Sequence, residues 1–181
     1  MSDESGTANV RESGVTDPAS HGDERTTLMG FLQRQRDLVV WKLSGASDDA
    51  LRSVGTPTGM TLHGIVRHLE NVERSWFREA FAGESDLDYD WTDEDPDGDF
   101  HVPLTVAMAD LLTAYQEECA RCDAVINAAS LDEGSRHRDM SLRWIILHMI
   151  EETARHLGHI DILREQVDGK VGEDPWGPSP S

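Results

Sequence analysis

Apolar residues recur at intervals of three and four in four long stretches of the sequence, and this spacing is typical of amphipathic α-helices. We expect helices over residues 26–43, 62–83, 104–129 and 141–167. A short helical turn capped by Ser47 should follow the first, Thr61 should cap the second, and Gly83 should end it. No stretch shows the sustained alternation of a half-buried strand. The pattern therefore predicts an all-α protein, and a four-helix bundle is the simplest architecture.

Both ends of the chain lack this pattern. Residues 1–24 are polar and rich in Gly, Ser, Asp and Glu, with too few apolar side chains to offset the entropy lost on ordering. Gly and Pro recur after residue 168, where a helix cannot continue. We therefore expect a disordered tail over residues 1–24, one helical domain over 25–172, and a second tail over 173–181.

Charge and hydropathy exclude several classes of partner. Asp and Glu total 35 against 16 Lys and Arg, and the resulting formal charge of -19 would repel phosphate backbones and anionic lipids. No apolar run approaches the roughly 20 residues that span a bilayer, and the N-terminus carries no apolar signal segment. We therefore expect a cytoplasmic protein that binds neither nucleic acid nor membrane.

The fourth predicted helix carries the residues best suited to chemistry. At about 100° per residue, four polar side chains fall within one arc of roughly 80°, namely His148, Glu152, His156 and His159. His156 lies within the arc of core residues and Glu152 beside it, whereas His148 and His159 lie farther out. A His and a Glu four residues apart project side by side. On the second helix, His68 at the edge of the apolar face would complete a three-ligand site with an open position.

Imidazole and carboxylate donors without thiolates suit zinc, and also nickel, cobalt, iron or manganese. Spacing alone leaves a second interpretation open. In that interpretation His68 and His156 are ordinary half-buried histidines and Glu152 is a surface acid.

The segment between the second and third predicted helices is acidic. Asp93, Asp95, Asp97 and Gly98 have the spacing that begins an EF-hand calcium loop, but the twelfth position is Leu104, where a bidentate glutamate belongs. We therefore interpret residues 84–101 as a solvated acidic loop near the mouth of the bundle.

These residues resemble the DinB/YfiT-like superfamily of metal-binding four-helix bundles. Its pattern is a histidine in the second helix, here within Val66-Arg67-His68-Leu69, and a His or Glu four residues before a His in the fourth, here Glu152 and His156. The Glu-x-x-x-His form is similar to the mycothiol-dependent maleylpyruvate isomerases and related mycothiol S-transferases of actinobacteria. The similarity covers about residues 25–172. The isomerases have an additional C-terminal domain without a counterpart here, so we do not expect isomerisation.

The resemblance implies that His68, Glu152 and His156 bind one divalent metal ion, with zinc as the first expectation. A bound metal can lower the pKa of a coordinated thiol or water and present it as a nucleophile near neutral pH. We therefore expect a metal-dependent transferase, in which mycothiol or a similar low-molecular-weight thiol such as bacillithiol attacks a small electrophile.

Two alternatives remain at this level. One is metal-dependent hydrolysis, with water in place of the thiol. The other is a non-catalytic bundle that uses the metal for stability or forms a homodimer through exposed helix faces. An open fourth coordination position favours an enzyme, and a closed four-ligand site favours a structural ion. His148, Glu151 and His159 are all candidates for proton transfer, and the sequence does not choose among them.

Overall fold

A computed structural model describes residues 9–171 of the chain. Helices make up most of this part and its two strands are two residues long each, so the all-α prediction is confirmed. In chain order the elements are β1 (Asn9–Val10), β2 (Thr16–Asp17), α1 (Glu24–Leu43), α2 (Asp48–Arg52), α3 (Leu62–Glu73), a π-helical segment (Arg74–Phe81), a 3-10 turn (Gly98–Phe100), α4 (Met108–Asn127) and α5 (Leu142–Asp168). Within residues 9–171, no helix is long and apolar enough to cross a membrane. The four-helix bundle stays a prediction, and the predicted tail over 173–181 lies outside the described residues.

Short polar side chains fix where three of the helices begin. Asp23, Ser47 and Thr61 each accept a hydrogen bond from the backbone N–H three residues further on, at 2.7, 3.3 and 3.1 Å. Such bonds satisfy donors that the first turn of a helix leaves without a partner. The predicted caps at Ser47 and Thr61 are confirmed.

The second predicted helix changes geometry part-way along its length. α3 ends at Glu73, and the chain continues as the wider π-helical segment until Phe81. Gly83 follows with a φ of +73°, a conformation that favours glycine, so the predicted end of this helix is confirmed. Wide turns of this kind are rare and often occur at functional sites. Here the π-helical segment begins at Arg74 and contains Arg78, and both reach Glu118 on α4.

The chain divides into two compact units. Among the described residues, unit 1 comprises 9–44 and 146–171, and so contains α1 and most of α5. Arg164 on α5 donates hydrogen bonds to the carbonyl oxygens of Lys42 at 2.6 Å and Ser44 at 3.1 Å. Lys42 also forms an ion pair with Asp161 at 2.5 Å. These contacts join the last turn of α1 to the C-terminal half of α5.

The described part of the predicted N-terminal tail contains a short hairpin against α1. β1 and β2 pair antiparallel, and Val15, just before β2, is fully buried. Asp17 accepts hydrogen bonds from Arg11 at 2.6 Å and from Arg34 of α1 at 3.2 Å. Composition gives no sign of these contacts, because they depend on one valine and on partners in the helix. The division between tail and domain near residue 24 stays a prediction.

Unit 2 comprises residues 45–145, and within it α3 packs against α4. The apolar face predicted for the second helix is buried, through Leu62, Ile65, Val66, Leu69, Val72 and Phe77. A polar contact joins three helices of this unit. Asp48 Oδ1 accepts hydrogen bonds from His63 Nε2 and from the backbone N–H of Met108, both at 2.8 Å. It therefore ties the first turn of α2 to α3 and to the start of α4.

Candidate metal centre

Two of the predicted ligands lie one turn apart on α5. His156 is buried, with 6% of its surface exposed, and its Nε2 lies 3.1 Å from Glu152 Oε1. The Glu152 side chain is 18% exposed. The i, i+4 spacing therefore places imidazole and carboxylate side by side, as the helical wheel predicts.

The remaining polar residues of this face are more exposed than His156. His148 and His159 are half-buried and Glu151 is exposed. The ring of His159 meets that of His156 edge-on, with centroids 5.4 Å apart and planes at 71°. Within the described residues, His159 Nδ1 is buried and makes no hydrogen bond. A second imidazole therefore lies directly beside a candidate ligand.

The third predicted ligand, His68, lies on α3 with its side chain 19% exposed. Its Nδ1 lies 2.7 Å from Oδ2 of Asp99, and its ring stacks on Phe100 with centroids 4.7 Å apart. Gly64, one turn earlier, makes this approach possible. A Cβ there would lie 2.8 Å from the carbonyl oxygen of Phe100 and 2.9 Å from its Cα. The 3-10 turn is therefore packed closely against the turn of α3 that carries His68.

Asp99 is a functional candidate that the sequence interpretation missed. The acidic loop is solvated at Asp93, Glu94 and Asp97, but Asp99 is only 2% exposed. The sequence carries no signal that separates Asp99 from the other acids of the loop, because its burial depends on the approach of the loop to α3.

Each of the three predicted ligands has a donor type that a divalent metal ion accepts, an imidazole in His68 and His156 and a carboxylate in Glu152. That the three bind one ion together stays a prediction. His68 belongs to unit 2, and Glu152 and His156 belong to unit 1. The donor types fit zinc and the neighbouring divalent transition metals, because two of the three donors are imidazole nitrogens. Hard cations such as magnesium and calcium prefer oxygen ligands alone. With Nδ1 of His68 engaged by Asp99, a metal would bind this residue at Nε2.

Unit 2 also contains a cavity of about 410 Å³ lined by arginines and acids of α3, the π-helical segment, residues 86–90 and α4. Glu118 is fully buried beside it and accepts hydrogen bonds from Arg74, Arg78 and Arg121. Burial alone would raise the pKa of Glu118, but its hydrogen bonds to Arg78 and Arg121 and the charges of Arg74 and Arg78 outweigh this and lower it. The carboxylate therefore stays ionised and holds the arginine cluster together.

The chain is mainly helical and carries a histidine on α3 and a Glu-x-x-x-His pair on α5, which are the features expected of a helical protein that binds a metal through its helices. The sequence model of the family described as mycothiol-S-transferase matches residues 27–169, and the chain belongs to this family. The predicted resemblance to the mycothiol S-transferase group is thereby confirmed. A comparison with curated proteins finds no significant match.

Proposed function

We propose that the protein is a metal-dependent thiol S-transferase, which uses mycothiol or a similar low-molecular-weight thiol on a small electrophile. The observation that carries this proposal is membership of the mycothiol-S-transferase family, whose name gives both the thiol and the type of reaction. The donor group of His68, Glu152 and His156 supports the metal dependence, and zinc is the first choice of ion.

In this proposal the three side chains would hold the ion, and three protein ligands are typical of a catalytic zinc site rather than a structural one. Glu152 and His156 are suited to this because a single helix turn fixes their spacing, and the burial of His156 limits its motion. His68 is suited because its ring is held by a hydrogen bond and a stacking contact. When bound, the ion lowers the pKa of a coordinated thiol, so that thiolate is present near neutral pH.

The transfer itself breaks the S–H bond of the thiol and forms a bond between sulfur and the electrophilic carbon. The leaving group departs with the electron pair of its bond to that carbon, and the thiol proton passes to a base or to water. His148, Glu151 and His159 stay candidates for that base, and His159 is the one whose ring contacts a proposed ligand.

The activity test compares metal-loaded and chelated protein in conjugation of a panel of thiols, including mycothiol, to monobromobimane or chlorodinitrobenzene. We expect conjugation above the metal-free rate. Hydrolysis of ester and amide substrates without any metal-dependent conjugation would contradict S-transfer in favour of a hydrolase. Absence of both reactions, with a melting temperature that falls on chelation, would show that the ion is structural.

A second test identifies the ligands by elemental analysis of purified variants. His68→Ala, Glu152→Ala and His156→Ala should lose the metal. His148→Ala is the matched control, because His148 lies one turn before Glu152 on the same face of α5 and is half-buried. Metal loss from His148→Ala together with full retention by Glu152→Ala would show that the ligand pair on α5 is wrong.

A further inference from the structure

A carboxylate removed from water is unfavourable unless hydrogen bonds or charges compensate for the lost hydration. Asp99 is 2% exposed, and its Oδ2 lies 2.7 Å from Nδ1 of His68. A carboxylate oxygen at this distance accepts a hydrogen bond, so the proton of a neutral His68 ring belongs on Nδ1. The lone pair of the ring then belongs to Nε2.

We propose that Asp99 is a positioning residue for the metal centre: it fixes the tautomer and orientation of His68 so that Nε2 is presented to the ion. This inference rests on the proposed function, because it takes His68 to be a ligand. Metal-bound histidines commonly donate their second ring N–H to a carboxylate, which orients the ring and makes it a stronger ligand. Asp99 supplies such a carboxylate, and it does so from the acidic loop.

The local backbone holds Asp99 in this position. The backbone N–H of Gly98 donates to the carbonyl oxygen of Asp95 at 3.1 Å, and a Cβ at Gly98 would lie 2.2 Å from the carbonyl oxygen of Asp90. A residue with any side chain would therefore displace the turn. Phe100, on the other side of Asp99, stacks on the ring of His68 with an angle of 22° between the planes. The imidazole is thus held both at its edge and on its face.

The loop offers a natural control for this contact. His101 Nδ1 lies 3.0 Å from Asp95 Oδ2, but these side chains are 64% and 50% exposed. The pair therefore has the same chemistry as His68 and Asp99 without the burial. Asp95→Asn should leave metal binding unchanged.

The first measurement needs no variant. Long-range ¹H–¹⁵N NMR of histidine-labelled, metal-free protein, at a mildly alkaline pH where imidazoles are neutral, should show His68 protonated at Nδ1. Its signals are identified by their absence from His68→Gln. A His68 protonated at Nε2 in the wild-type protein would overturn the inference.

The second measurement compares zinc affinity by competition with a chromophoric chelator in wild type, Asp99→Asn and Asp95→Asn. Asp99→Asn keeps the shape of the side chain but removes its charge and adds a donor that can reverse the tautomer. We expect about 10- to 100-fold weaker zinc binding for Asp99→Asn, with a changed His68 NMR pattern, and no change for Asp95→Asn.

The outcomes separate this inference from the proposed function. A wild-type zinc affinity in folded Asp99→Asn overturns the role of Asp99, whatever the activity of the protein. Equal weakening in both asparagine variants also overturns it, because the effect would then be one of loop charge alone. If the wild-type protein binds zinc through His68 with Nδ1 protonated, yet conjugates no thiol, S-transfer is wrong and the role of Asp99 stands.

Discussion

Replacement of Glu118 by glutamine would remove the negative charge at the centre of the arginine cluster. Glu118 is fully buried, and its oxygens lie 2.8 to 3.3 Å from guanidinium nitrogens of Arg74, Arg78 and Arg121. Glutamine accepts with only one oxygen, and its NH₂ group faces guanidinium groups that have no acceptor. The variant should therefore be destabilised by lost attraction and by unsatisfied donors.

The size of the expected stability loss depends on the ion pairs that the arginines keep when Glu118 is replaced. Removal of one partner from a buried ion pair costs about 3–5 kcal/mol. The lower end applies here, because Arg74 keeps Glu70 at 2.6 Å, Arg78 keeps Glu84 at 2.8 Å, and water reaches both arginines. We expect the free energy of unfolding to fall by about 3 kcal/mol, which for a domain of this size lowers the melting temperature by about 6–12 °C.

The assay is urea unfolding followed by circular dichroism at neutral pH, with Glu117→Gln as the matched control. Glu117 is the preceding residue of α4, its side chain is 61% exposed, and it pairs with Arg121 at 3.3 Å. An exposed pair of this kind contributes at most about 1 kcal/mol. Equal loss of stability in the two variants would refute the assignment of Glu118 as the centre of the cluster.

The pH dependence gives an independent check with a definite sign. The arginines lower the pKa of Glu118 from its ordinary value of 4.5 despite the opposing effect of burial. Its contribution to stability is therefore present above that value and is lost as the pH falls through the lower pKa of the folded state. The stability difference between wild type and Glu118→Gln should shrink in acid, and a constant difference down to strongly acid pH would contradict this reasoning.

Three further predictions concern the pH range near neutrality, the helix glycines and the metal. Burial lowers the pKa of His63 from 6.5, despite its hydrogen bond to Asp48. The stabilising contribution of neutral His63 is therefore present above pH 6.5 and is lost as the pH falls toward the lower pKa of the folded state. In urea titrations, His63→Gln should lose less stability than wild type between pH 7.5 and about 5.5. Gly64→Ala would place a methyl group 2.8 Å from a backbone oxygen and should lower the melting temperature. Gly158→Ala, whose methyl group would meet no atom within 4 Å beyond the adjoining residues and backbone of its own helix, should raise stability by about 0.4–1 kcal/mol. Zinc at about 100 times its dissociation constant should stabilise the wild type by about 2.7 kcal/mol, and a thermal melt of His156→Ala should show no such shift.

The helices could be predicted because their signals are local. Caps at Ser47 and Thr61 and the end at Gly83 are each specified within a few residues, and the structure confirms them. The relation between Glu152 and His156 is local in the same way, because one helix turn fixes it. The role of these residues as metal ligands, by contrast, stays a prediction, since it depends on a third side chain far away in sequence.

The π-helical segment could not be predicted, because apolar residues at three and four are compatible with either helix type over two turns. The segment also makes contacts far outside its own sequence. Arg74 and Arg78 both reach Glu118, which is forty or more residues further along the chain. A local pattern cannot register an ion cluster of this kind, and the pattern therefore predicts one continuous α-helix from Leu62 onward.

Asp99 shows the same limit at the candidate site. In a chain with 35 acidic residues, one more aspartate in an acidic loop carries no information by itself. Two glycines distinguish it, because Gly98 lets the loop turn back on itself and Gly64 lets the turn approach α3. The sequence shows both glycines but not which backbone segment packs against each of them. Asp99 follows Gly98, which has no room for a Cβ, and the turn packs against Gly64, which has none either and lies one turn before His68. The structure reveals this combination, whereas the periodicity of apolar residues does not.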